Sequence, residues 1–100
     1  MYIIVGTERA SVLKDTHTVL SLEKIVHEGT EHRAYCIVPS EVVNFMEIPQ
    51  LEQHIELHEQ FVSEYEIGNY QYCRDVAEHL YGKFGGELDS FYDEILKRIS

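Results

Sequence analysis

The chain of 100 residues has no tryptophan, two cysteines, two prolines and no apolar run longer than five residues. Each shortage excludes something. A membrane-spanning helix needs about 20 consecutive apolar residues, so none is expected. No basic start leads into a long apolar stretch, so no export signal is expected and the predicted location is cytoplasmic. Cys36 and Cys73 are too few for a disulfide framework and suit buried free thiols in a reducing compartment. With no C-x-x-C pair, no cofactor or structural metal announces itself.

Basic residues are the scarcest charged class. Eighteen acids stand against eight bases, a net charge of −10. Residues 1–40 hold five acids and four bases, a net −1, whereas residues 41–100 hold thirteen acids and four bases, a net −9. Between Arg33 and Arg74 there is no Lys or Arg, yet there are seven glutamates. Nucleic acid and anionic membranes select clustered bases, so direct binding to either is disfavoured. A basic protein partner is permitted, although negative charge also simply keeps a small protein soluble.

What is present is ordinary globular material, 44% apolar and 26% charged, enough for one domain over residues 1–100. Its first 39 residues read as strands. Tyr2–Val5 is β-branched and aromatic and ends at Gly6, and Thr18–Val26 and His32–Val38 are further apolar runs. Gly29 between the last two predicts a hairpin with a loop of about three to five residues. Pro39 closes the last strand because it cannot donate to a ladder. Residues 7–16 read as loop or a short extra strand, and residues 40–48 fit a short helix or a fourth strand equally.

From Pro49 the period turns helical, and Pro49 suits a first turn where its missing N–H costs nothing. On a wheel of about 100° per residue, Glu52, Glu56, Glu59, Glu64 and Glu66 share one arc and Leu51, Ile55, Phe61 and Val62 share the other. A second helix is predicted near 70–81, with Asn69 as its N-cap. A third shows Leu88, Phe91, Tyr92, Ile95 and Ile99 at helical spacing, with acids early and Lys97-Arg98 late, as the helix dipole prefers. The expected architecture is α+β: about three N-terminal antiparallel strands against about three C-terminal helices.

Two features carry chemistry. His54 and His58, in H-I-E-L-H, stand four apart near the middle of the apolar arc, a spacing that can share a metal. Hydrolytic zinc motifs place a glutamate between the two histidines and next to one of them, but the acid between this pair, Glu56, is two residues from each, so that class is excluded. The pair reads first as packed core or interfacial histidines and second as a metal-binding module. His32 and Cys36 fall about 13 Å apart along a strand, too far for a thiolate–imidazole pair. No catalytic residue is predicted.

The second feature is the acidic row Glu52, Glu56 and Glu59, with Glu64 beyond it. Like charges four apart cost about 0.2–0.5 kcal/mol per pair, and no local base offsets them. The expected function is therefore a non-enzymatic, acidic protein that acts by protein–protein interaction through this row. An alternative is a nucleic-acid mimic, since carboxylates about 6 Å apart along a helix echo phosphate spacing. The wide apolar arc leaves monomer and homodimer both open.

Overall fold

The computed structural model describes residues 2–43 and 45–99. Strands β1 (Tyr2–Val5), β2 (Thr18–His27) and β3 (Thr30–Val38) form an antiparallel sheet in the order β1-β3-β2. The central place of β3 explains its unbroken apolar run Ala34–Val38. Successive side chains point to opposite faces, and here both faces are covered. On one face Ala34, Cys36 and Val38 join Leu20 and Leu22 beneath the C-terminal helices. On the other, Tyr35 and Ile37 join Val19 against Ala10.

The hairpin is tighter than expected. His27 pairs with Thr30, so the turn is the two residues Glu28 and Gly29, at φ 52° and 76°. Positive φ at both central residues gives the turn a twist that matches the flanking strands. Further along, β2 carries one extra residue between Ser21 and Lys24, opposite Tyr35 and Arg33. At this bulge the Leu22 carbonyl accepts a hydrogen bond from Arg33 Nη1 at 2.9 Å.

Residues 7–16, expected as loop or strand, contain a helix instead: α1 (Thr7–Leu13). Two turns are too short to stand alone or to display a period. Packing stabilises them, because Ala10 is buried against the outer sheet face with Leu13 partly buried beside it. Residues 40–48 contain neither a strand nor an α-helix. They make 3-10 turns at Ser40–Val42 and Phe45–Gln50, while Asn44 lies outside the described residues. Pro49 sits inside the second of these turns, not in the first turn of an α-helix.

The helical half follows its periods closely. Helices α2 (Leu51–Glu66), α3 (Tyr70–Leu80) and α4 (Asp89–Ile99) bring Phe61, Val62, Cys73, Ala77, Leu80, Tyr92 and Ile95 to one core with the sheet. This is the expected α+β arrangement, with α1 added. Asn69 occupies the N-cap position of α3 but makes no capping side-chain bond there. Its Nδ2 instead donates to Glu64 Oε2 at 2.8 Å, at the acidic end of α2, which has no base in its last turn. Among the described residues no helix is long and apolar enough to cross a membrane.

Candidate interaction surface

The predicted acidic row divides in two. Glu52 and Glu56 are exposed on α2, as the wheel placed them. Glu59 is not: it is half-buried, and its Oε1 accepts the Ser21 N–H at 3.1 Å. Glu64 is half-buried at the end of α2, accepting from Gln60 Nε2 at 2.9 Å and from Asn69. Glu66 is exposed, as the wheel placed it, and accepts from Arg33 Nη2 at 2.9 and 3.1 Å. A wheel gives angles about one axis and takes no account of the sheet edge that α2 crosses.

That crossing also explains His58. Its ring is fully buried, with Nε2 2.7 Å from the Ser21 carbonyl and Nδ1 2.8 Å from Tyr92 Oη. A carbonyl only accepts, so Nε2 carries the proton and Nδ1 accepts from the tyrosine. Both nitrogens are engaged, which leaves no lone pair for a metal. Burial lowers the pKa of His58, opposed by the Ser21 carbonyl and by Glu59. His54 lies one turn earlier and does not converge with it. Its Nδ1 is 3.3 Å from Glu47 Oε2, off the line of a hydrogen bond and otherwise without a partner. Among the described residues no three His, Cys, Asp or Glu side chains group as a metal site.

The thiols are equally occupied by packing. Both are free and fully buried, Cys73 contacting the Phe61 carbonyl at 3.6 Å. Burial, then the nearby Glu87, pushes the Cys36 thiol up to about 11, and burial also raises Cys73. A thiol so raised stays protonated and is a poor nucleophile.

Sequence reasoning missed Glu47, the acid inside Phe45-Met46-Glu47-Ile48. In this segment the usual polarity is inverted. Glu47 is 9% exposed, whereas Phe45 is 81% and Met46 80% exposed, and Ile48 is exposed as well. The cause lies across the core. Phe84 is buried at φ 54°, a left-handed conformation that a non-glycine residue adopts only when its surroundings impose it. Its buried N–H needs an acceptor, and both Glu47 oxygens supply one, at 2.9 and 3.1 Å. Next to it Gly85 is indispensable, because a Cβ there would stand 2.3 Å from the Val42 carbonyl oxygen.

Drawing Glu47 inward turns its neighbours out. Phe45 and Ile48 are three residues apart, so in a 3-10 turn they eclipse one another and share one side. A polar cleft of about 230 Å³ between Glu47, Gln50, His54 and Lys83 lies beside them. The signal for Glu47 in the sequence was weak: a single acid among apolar residues with neither a period of two nor of 3.6. Comparison with protein-family models, with curated proteins and with solved structures finds no match for this chain.

Proposed function

We propose that this chain is a non-catalytic, acidic domain that binds another protein, with Phe45 and Ile48 as apolar anchors and Glu52 and Glu56 as the adjoining charge. The observation that carries this reading is the inverted Phe45–Ile48 segment. Covering a phenylalanine or isoleucine side chain is worth about 1.5–3 kcal/mol each, and here that free energy is left unrealised in the isolated chain. Exposed apolar side chains grouped together and rimmed by polar residues mark interaction sites. The partner that fits offers an apolar pocket flanked by Lys or Arg.

The mimic reading rested on an extended row of carboxylates. With Glu59 turned to the sheet edge and Glu64 tied to Gln60 and Asn69, two free carboxylates remain of that row. The metal reading rested on two convergent histidines, and His58 has both ring nitrogens occupied.

Affinity capture from lysate at about 50 and about 300 mM salt tests the proposal. The double variant F45S/I48S should lose the bound protein at both salts. The double variant E52K/E56K should weaken capture chiefly at low salt, as steering charges do. Capture that survives F45S/I48S but not E52K/E56K would return the mimic reading to first place.

A further inference from the structure

We infer that β1 is a self-association edge, at which two copies pair antiparallel about a two-fold axis through Ile4 to give one continuous sheet, β2-β3-β1-β1-β3-β2. The argument begins with hydrogen-bond direction. Gly6 N–H donates to the Arg33 carbonyl at 3.1 Å, so Gly6, and by alternation Ile4, turn their backbone groups toward β3. Ile3 and Val5 therefore point their N–H and C=O outward, to the free side of an edge strand.

The same two residues expose apolar side chains, Ile3 at 52% and Val5 at 37%. Their side chains lie on the face that α4 covers only in part. There they border an apolar groove of about 300 Å³ floored by Leu22 and Ala34 and walled by Ile25 and Phe91. Unpaired backbone and uncovered apolar side chains thus coincide on one short strand, the combination that invites another strand.

The opposite edge is treated differently. On β2 the outward N–H and C=O of Ser21 are taken by Glu59 and His58, and a bulge follows at once. Among the described residues no side chain plays that part for Ile3 or Val5.

A second copy is an occupant that meets little charge opposition at this edge and that the strand itself complements. Two chains of −10 repel, but the acidity lies in residues 41–100, and residues 1–40 carry only −1. β1 itself has no charged residue, and Glu8 and Arg9 after it cancel. The two acids that line the groove, Glu23 and Glu94, are both paired with Arg98 of their own chain. The strand is also self-complementary. A two-fold at Ile4 sets Ile3 of one copy opposite Val5 of the other, so each outward N–H meets an outward C=O, as an isologous interface requires. This surface is separate from the Phe45–Ile48 segment, so either can fail without the other.

Sedimentation across a concentration series should show wild type reaching the mass of two chains, and Ile3→Lys, a charge on the edge, remaining a single folded chain by circular dichroism. Register is read by cross-linking. Ile4→Cys should form a disulfide dimer, since the facing Cα atoms lie about 4.5 Å apart. Ile3→Cys should not, because its two copies are diagonal neighbours about 7–8 Å apart. A wild type that stays monomeric throughout, an Ile3→Lys variant that still dimerises, or an Ile3→Cys disulfide in place of the Ile4→Cys one each overturns the inference; a monomer whose exposed edge takes up another protein's strand would reassign the occupant.

Discussion

The His58 ring is clamped between a carbonyl of β2 and a phenol of α4, and this pairing gives it a titration with a definite sign. The groups facing it are the Ser21 carbonyl, the Tyr92 hydroxyl and the rings of Phe84 and Phe91, with Glu59 next to it on α2. Burial disfavours the imidazolium, so the folded pKa lies below the ordinary 6.5. As pH falls through about 6.5 the unfolded chain takes up a proton that the folded chain refuses, and stability is lost from there downward. Above that pH the contribution is fully present. Urea unfolding between about pH 5 and 8 should therefore show a flat upper limb and an acid-side fall of at most about 1.4 kcal/mol per pH unit from this group. Replacing His58 with Gln should lower stability overall and flatten the acid limb relative to wild type. Equal slopes in the two proteins would place the titration elsewhere. His58 was legible in the sequence as a buried histidine on an apolar arc. Its partners were not, because Ser21 and Tyr92 lie 37 and 34 residues away in the chain.

At the scale of elements, α2 is both a core helix and the guard of a sheet edge. Its apolar arc supplies Phe61 and Val62 to the core, and His58 and Glu59 close the open side of β2 at Ser21. Glu59→Ala should cost about 1 kcal/mol, since the Ser21 N–H loses its acceptor at a half-buried site. Glu52→Ala, about two turns earlier on the same helix and exposed, should stay within about 0.5 kcal/mol of wild type. Chemical denaturation of the two variants distinguishes them, and equal effects would mean that the Glu59 contact carries no net energy. Helices α2, α3 and α4 were legible because 11–16 residues display a full helical period. Helix α1 was not, since its seven residues owe their shape to the sheet face beneath Ala10. The turn at Glu28 and Gly29 was seen, but its length was not, because register is set by the strands it joins.

For the whole molecule the net charge of −10 is a standing repulsion. The ion pairs opposing it, Arg33 with Glu66 and Arg98 with Glu23 and Glu94, lie near the surface, where such pairs are worth little. Screening should therefore relieve more repulsion than it removes attraction. Raising salt from about 20 to about 300 mM should lift the thermal midpoint by a few degrees. A midpoint that falls with salt would show that the ion pairs outweigh the repulsion.

Composition and period determined the class of the molecule: an acidic α+β fold with N-terminal strands and C-terminal helices. They did so because burial of an apolar face imposes a period of two on strands and of 3.6 on helices. Only the tertiary structure decided which polar groups would be taken inward. Glu47 and Glu59 read in the sequence as ordinary members of their segments, and His58 as a buried ring whose partners were unknown. Each was claimed by a distant backbone group, the Phe84 N–H, the Ser21 N–H and the Ser21 carbonyl, that could not be buried unpaired. The display of Phe45 and Ile48 is the consequence of one such claim, and the free edge of β1 is where no described side chain makes one.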